Sequence, residues 1–288
     1  MLVTVLLVLA ALLPAPPAVD LVVVRGGDLY RAGVPLIRTG DARRPRWSPD
    51  GRRLAFLRGT DLWVAAGDGS SPTRVARGAG GPAWSPDGRW LAYVGDDGTL
   101  WRIRSDAPSG APVRVLDTHL VLTPLPGDPS TVRGLAHDTS VAWSPDGARI
   151  AFPGGECLGV YERCLTVADL GTGAQYVLAA YGGAGARSGF AVLPRWTADG
   201  RRVVFTAYGR PGEQPGVPVH VASCAWAGTG CHTVGAPGDR EAVPSPRPGS
   251  GDVVVTRYRD RVARVVLLSG EQAVAVSDGA QPDWRPGA

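Results

Sequence analysis

The sequence contains no lysine and no asparagine, and it has only four histidines and four cysteines among 288 residues. All 30 basic residues are therefore arginines, scattered singly or in pairs, and the net charge is only +4. Nucleic-acid-binding domains concentrate their basic residues on one face, so we expect no nucleic-acid partner. Because so few histidines are present, we also expect neither a metal nor a cofactor.

Two further absences bear on function and topology. The motif G-x-S-x-G, which carries the nucleophile of α/β-hydrolases, does not occur. The apolar run at residues 2–13 is shorter than the roughly 20 residues of a transmembrane helix. It is typical of a secretory signal peptide over residues 1–18, with an uncleaved N-terminal anchor as the alternative. We therefore expect a secreted or extracytoplasmic protein of the cell envelope, which contacts a membrane only if this segment is retained.

Glycine and proline are abundant, with 40 and 26 residues, about twice their average usage. Hydrophobic residues make up 44% of the chain, which is too many for a disordered protein. The glycines and prolines show no collagen period. The composition therefore predicts an all-β fold in which many short strands are separated by turns.

A short cassette recurs along the chain. Clear copies begin at Pro45 (PRWSPDGRRLAF), Pro82 (PAWSPDGRWLAY), Val141 (VAWSPDGARIAF) and Pro194 (PRWTADGRRVVF). A weaker copy begins at Val243, and a final PDWRPGA ends the chain. The average spacing is about 47 residues, close to that of four-stranded propeller blades.

The parts of the cassette have separate structural roles. Ser-Pro-Asp-Gly fits a type I turn, with proline setting φ at the second position and glycine at the fourth. The tryptophan before the turn is expected to pack between blades rather than to stack on a ligand. The aspartate is interpreted as a turn former, because the alternating acidic residues of a calcium loop are missing.

The strand count closes a ring of six. Residues 20–24 and 28–32 match the second and third strands of the repeat, so the chain starts without a first strand and ends with one around Trp284. This predicts an all-β, six-bladed β-propeller over residues 19–288, with four-stranded antiparallel blades. The last blade is closed by the N-terminal strands plus the C-terminal strand, which removes open edges. We expect a monomer.

The cassette P-x-WSPDG-x-x-[IL]-A-[FY] resembles the WD-like repeats of TolB-type propellers, which also occur in the propellers of prolyl oligopeptidase-type peptidases. The resemblance extends over essentially all of residues 19–288. It implies the six-bladed fold and a place in the cell envelope, whereas a fold of this kind supports many different functions.

The four cysteines form two pairs with equal spacing, Cys157 with Cys164 and Cys224 with Cys231. An even number of cysteines behind a signal-like segment predicts disulfides within each pair. Zinc binding is the less favoured alternative, because zinc sites use a tighter cysteine spacing.

Propeller geometry directs attention to the mouth of the central channel. The residues just before each first strand are expected to ring it: Arg44, His137, Asp138, Arg195, Arg240, Glu241 and Gln281. Arginines mixed with carboxylates suit a peptide terminus, an acidic sugar or a polar loop of a partner. Solvated or mutually paired loop charges are the alternative.

Three functions remain open from the sequence. The favoured one is a non-catalytic scaffold that binds a protein or peptide partner, because the residues form no catalytic constellation. An enzyme of lyase or lactonase type with a site in the central channel is one alternative. A glycan-binding propeller is another, although the long loops offer few aromatic residues beyond Tyr161, Tyr181 and Phe190.

Overall fold

The computed structural model describes residues 20–106, 110–116, 138–155, 163–181, 190–208, 219–235, 240–259 and 262–286. These residues form six antiparallel sheets of four strands each. The first strand of each blade contacts the first strand of the next, and these contacts close a ring. The predicted six-bladed propeller is therefore confirmed. No helix in the described ranges is long and apolar enough to cross a membrane.

Each blade is a meander that runs outward from the channel. Blade 1 consists of β4 (Ala42–Trp47), β5 (Arg53–Arg58), β6 (Asp61–Ala66) and β7 (Thr73–Ala76). Blade 2 consists of β8 (Ala83–Trp84), β9 (Trp90–Val94), β10 (Leu100–Arg104) and β11 (Val113–Arg114). Blade 3 consists of β12 (Ala142–Trp143), β13 (Arg149–Pro153), β14 (Arg163–Asp169) and β15 (Gln175–Tyr181). Blade 4 consists of β16 (Phe190–Trp196), β17 (Arg202–Tyr208), β18 (His220–Ala225) and β19 (His232–Val234). Blade 5 consists of β20 (Arg240–Pro246), β21 (Val253–Arg259), β22 (Val262–Ser269) and β23 (Gln272–Asp278).

Blade 6 joins the two ends of the chain. It consists of β24 (Ala280–Trp284) followed by β1 (Leu21–Arg25), β2 (Asp28–Arg31) and β3 (Val34–Ile37). Leu21 pairs with Trp284 in an antiparallel register. The predicted closure by N-terminal and C-terminal strands is therefore confirmed.

The cassette turns are held by a repeated hydrogen-bond pattern. The Ser48 hydroxyl donates to Asp50 Oδ1 at 2.6 Å, and the same oxygen accepts the Arg52 backbone N–H at 3.1 Å. The other turns repeat this pattern with Ser85 and Asp87, Ser144 and Asp146, and Thr197 and Asp199. These aspartates therefore act locally, as turn formers.

Three of the cassette tryptophans join neighbouring blades by a hydrogen bond. The indole N–H of Trp84 in blade 2 donates to the backbone oxygen of Arg46 in blade 1 at 2.9 Å. Trp196 makes the equivalent bond to blade 3 and Trp284 to blade 5. All three side chains are buried against the preceding blade, as core packing predicts.

A bulge recurs on four inner strands. In each of these strands, the residue three positions before the tryptophan position has a left-handed backbone conformation. These residues are Arg44, Leu193, Val243 and Gln281, with φ between 52° and 60°. Such a conformation costs a non-glycine residue about 1–3 kcal/mol. The Arg44 N–H is bonded to Gln281 Oε1, and the Gln281 N–H to Thr256 Oγ1, both in the preceding blade. The bulge therefore ties adjacent blades together at the channel.

One of the two predicted disulfides lies wholly within the described residues. Cys224 and Cys231 are bonded and join the β18–β19 hairpin. Cys164 is also disulfide-bonded, but Cys157 lies outside the described residues, so the pairing of 157 with 164 stays a prediction. Residues 1–18, His137 and Tyr161 are outside as well.

Candidate functional site

The candidate site lies on the inner strands, which surround the channel. One level of the channel wall is formed by the residue directly before the tryptophan position in each blade. In order from blade 1 to blade 6 these residues are Arg46, Ala83, Ala142, Arg195, Ser245 and Asp283. In a ring of six, blades 1 and 4 are opposite each other. Two arginines thus face one another across the channel, with an acidic residue on one side and small residues on the other.

Asp283 is the acidic centre of this level. Its carboxylate accepts the Trp47 backbone N–H at 2.8 Å and lies 3.6 Å from Arg195 Nη2. Ser245 Oγ donates to it at 3.4 Å. Burial raises the pKa of Asp283 to about 6, and the opposing influence of Arg46 does not cancel that effect. This carboxylate therefore titrates close to neutral pH.

The two arginines of this level keep unused hydrogen-bond donors. Arg46 is 5% exposed, and the hydrogen bond described for its side chain goes to the backbone oxygen of Pro45 at 2.6 Å. Within the described ranges, Nε and Nη2 of Arg46 and Nε of Arg195 are buried without a hydrogen-bond acceptor, whereas Arg195 Nη2 has the Asp283 carboxylate at 3.6 Å. Burial lowers the pKa of Arg46 to about 10. Buried donors of this kind are rare, because each unmet bond costs free energy.

A second level is organised by Arg44, which is 1% exposed. Arg44 Nε donates to Asp138 Oδ2 at 2.5 Å, linking blade 1 to the segment that leads into blade 3. The Arg44 backbone N–H donates to Gln281 Oε1 at 2.8 Å. Burial alone would raise the pKa of Asp138, but Arg44 and hydrogen bonds from Ser140 outweigh it and hold that pKa below its usual value.

The structure brings together four of the predicted ring residues and separates two others. Arg44, Asp138, Gln281 and Arg195 belong to the two channel levels. Glu241 instead pairs with Arg257 on the adjacent strand at 2.5 Å and is buried.

Gly235 of blade 4 packs against the Glu241 side chain, which therefore points into the interface between blades 4 and 5. Arg240 is exposed at the beginning of β20. Arg240 and Glu241 face opposite sides of β20, as consecutive residues of a strand do. Neither residue belongs to the two channel levels, so the predicted ring is corrected at these two positions.

The predicted location of the ring also needs correction. We expected its members just before the first strands, but Arg44, Arg195 and Gln281 lie inside β4, β16 and β24. The bulge lets these strands continue past the irregular residue. Sequence reasoning missed Arg46 and Asp283, since both belong to the cassette. The signal was the variation in charge at the position before tryptophan.

Among the described residues of the two channel levels, positive charges outnumber negative ones. Arg44, Arg46 and Arg195 face two carboxylates, those of Asp138 and Asp283. An arginine guanidinium presents several N–H donors in a planar fork that matches a carboxylate. The described residues contain no group of three or more His, Cys, Asp or Glu side chains that could hold a metal ion. The arrangement is therefore suited to binding an anionic group.

Comparisons with known proteins support the architecture. No protein-family model and no curated protein sequence matches the chain. A solved structure described as a "putative TolB" from Agrobacterium tumefaciens is 19% identical, with a TM-score of 0.63 over 92% of both chains.

An oligogalacturonate lyase from Vibrio parahaemolyticus is 13% identical, with a TM-score of 0.51 over 82% of this chain and 65% of that chain. Another oligogalacturonate lyase, in complex with manganese, is 16% identical, with a TM-score of 0.50 over 81% of this chain and 64% of that one. Similarity at these identities concerns the fold alone. The chain thus has the six-bladed fold of TolB-like propellers.

Proposed function

We propose that this protein is a non-catalytic, TolB-like propeller of the cell envelope that binds a protein or peptide partner at its central channel. We further propose that the partner presents a carboxylate to the channel arginines. The observation that carries this proposal is the set of buried guanidinium N–H groups, Nε and Nη2 of Arg46 and Nε of Arg195, that lack a hydrogen-bond acceptor in the described residues.

The charge balance favours a carboxylate over other ligands. In the part of the channel that the structure describes, three guanidinium groups are opposed by two carboxylates, which leaves one positive charge among buried residues. An uncompensated buried charge is costly. A single carboxylate supplies one negative charge and two acceptor oxygens. The C-terminus or an acidic side chain of a polypeptide brings such a group.

The proposed location rests on two independent features. The apolar run at residues 2–13 has the character of a signal segment. The Cys224–Cys231 disulfide fits an oxidising compartment. The similarity to a TolB propeller agrees with a place in the envelope.

A carboxylate-bearing glycan is a second candidate. Two of the similar folds are oligogalacturonate lyases, and an acidic sugar offers the same functional group to the arginines. This candidate differs from the first in the remainder of the ligand, which a direct binding experiment distinguishes.

The first test uses calorimetric titration at low salt. N-acetyl-diglycine with a free carboxylate should bind, whereas its C-terminal amide should not, and galacturonate is titrated in parallel with galactose. Arg46→Gln should weaken carboxylate binding about tenfold or more, as expected for the loss of a charge-assisted hydrogen bond. The exposed Arg38 provides the matched control, because Arg38→Gln removes the same charge outside the channel.

Equal binding of the carboxylate and the amide would disprove the anion site. If galacturonate binds and the peptide does not, the glycan candidate replaces the peptide one. Affinity capture from an envelope extract then compares wild type, Arg46→Gln and Arg38→Gln. The partner should be retained by wild type and Arg38→Gln and lost by Arg46→Gln.

A further inference from the structure

Blade 5 departs from the repeat at the tryptophan position. The residue equivalent to Trp47 and Trp84 is Pro246, at the end of β20. The equivalence follows from the turn, because Arg247 donates its backbone N–H to Asp252 as Ser48 does to Arg53. The interface between blades 4 and 5 is therefore built without a cassette tryptophan.

The interface between blades 1 and 2 shows what such a tryptophan contacts. Trp84 shares a core cluster with Ala55 and Val64 of blade 1, which pair across β5 and β6. The guanidinium of Arg53, at the beginning of β5, lies 4.8 Å from the centre of the Trp84 ring. Blade 1 thus provides an apolar floor and a cation over the indole face.

Blade 4 has residues at the positions that contact Trp84 in blade 1, but the next blade offers them no cassette tryptophan. Arg202 begins β17 as Arg53 begins β5, and Val204 pairs with Ser223 as Ala55 pairs with Val64. These three residues line a groove of about 1020 Å³. Val253 and Leu268 form its wall on blade 5.

The arginines of the two interfaces differ in the partners they use. Arg53 reaches into blade 2, where it donates to Gly88 O at 2.7 Å and to Ser105 Oγ at 2.9 Å. Arg202 turns back onto its own blade and donates to Ser223 Oγ at 2.8 Å and to Gly230 O at 2.7 Å. Its guanidinium is therefore fixed at the edge of the groove.

We propose that this groove is a binding site for a tryptophan side chain of a protein partner, which takes the place left by the missing cassette tryptophan. The groove is lined by the turns at Thr197–Asp199 and Gly249–Gly251, which follow the inner strands. It therefore lies at the opposite end of the inner strands from Asp138. The inference goes beyond the proposed carboxylate binding and does not depend on it.

The chemistry of the groove selects an aromatic ring attached to a polypeptide. The guanidinium of Arg202 offers a cation for the ring face, and the three valines Val204, Val234 and Val253 with Leu268 offer apolar contact. The volume exceeds that of one side chain and lies at the upper end of the roughly 300–1,000 Å³ typical of ligand sites. It accommodates the residues that flank an inserted tryptophan as well.

Ligand-observed saturation-transfer NMR tests the site with N-acetyl-Gly-Trp-Gly-amide, its leucine analogue and free tryptophan. The tryptophan peptide should bind, and the leucine peptide should not. Arg202→Gln should weaken binding about tenfold, the effect expected for a partly desolvated cation–π contact. Pro246→Trp supplies the missing side chain from the protein itself, so it should abolish binding and raise the melting temperature.

Two controls keep the result unambiguous. Val34→Trp adds a tryptophan at an exposed position on β3 and should leave binding unchanged. Arg38→Gln should also bind like wild type. Equal binding of the leucine and tryptophan peptides, or full binding by Arg202→Gln, would overturn the proposal. Tighter binding of free tryptophan than of the peptide would overturn the assignment to a protein partner.

Discussion

The aspartates of the cassette turns and those of the channel differ in how they meet their hydrogen-bond and charge requirements. Each turn aspartate is bonded within its own turn, and the hydroxyl of the preceding Ser or Thr holds its pKa below the usual value. Asp283 is buried among residues of blades 1, 4 and 5, and its pKa is raised to about 6.

This difference separates scaffold from site. A group that is bonded locally in every blade performs the same structural task everywhere. A group whose partners come from several blades exists once and depends on the assembled ring. The repeated aspartates therefore stabilise turns, whereas Asp138 and Asp283 belong to the proposed site.

The largest expected effect is the loss of the Arg44 side chain. Arg44→Ala leaves the buried Asp138 carboxylate without its cation. Removing one partner of a buried pair costs about 3–5 kcal/mol. Urea unfolding should show this loss in the free energy of unfolding, with Arg38→Ala unchanged within about 0.5 kcal/mol. If Arg44→Ala lost as little unfolding free energy as the control, the prediction would be wrong, and the Arg44–Asp138 pair would contribute no more than a surface ion pair does.

The second effect concerns Asp283 and pH. Its folded pKa of about 6 lies above the ordinary 3.8, so the folded state binds the proton more tightly than the unfolded state. Stability from this group is present below about pH 4 and is lost as pH rises to about 6, by up to about 3 kcal/mol. Asp283→Asn should remove this dependence.

The pH experiment has a clear comparison. Unfolding free energies of wild type and Asp283→Asn are measured between pH 4 and pH 7.5, and the difference between the two proteins should change across that window. Carboxylate binding should also be tighter at pH 5 than at pH 7.5, since protonated Asp283 no longer competes for the arginines. Parallel pH profiles for the two proteins would contradict the raised pKa.

The smallest effect is expected at a turn. Asp87→Ala removes hydrogen bonds with the Ser85 hydroxyl and the Arg89 backbone N–H, at 2.5 and 3.0 Å. The expected loss is about 1 kcal/mol of unfolding free energy. Because the folded pKa is depressed, this stability is present above about pH 4 and is lost in acid. Carboxylate affinity should stay at the wild-type value.

Most of the fold could be predicted from the sequence because each blade repeats the same physical solution. The turn residues, the interblade tryptophans and the closing strand at Trp284 follow from the cassette. The left-handed residues could not be predicted, since Arg44, Leu193 and Val243 are residue types that seldom adopt a positive φ.

The channel was harder to predict than the blades. Pairing of Arg44 with Asp138 depends on the distance across a closed ring, which a linear pattern does not encode. Arg46 and Asp283 give no sequence signal of their own, because they stand directly before the tryptophan of a structural cassette. Pro246 was visible as a weakened copy of the cassette, but the space it leaves follows only from the packing of blades 4 and 5.

The strand β24 closes the ring and also carries two of the channel groups, Gln281 and Asp283. Opening the ring at this strand would therefore remove an acceptor from Arg44 and the counter-charge from Arg46 and Arg195. Closure of the ring therefore also brings together the groups of the proposed anion site. By linkage, a ligand that binds only the completed site stabilises the junction between the chain's two ends, by a free energy that grows with the logarithm of the ligand concentration once this exceeds the dissociation constant.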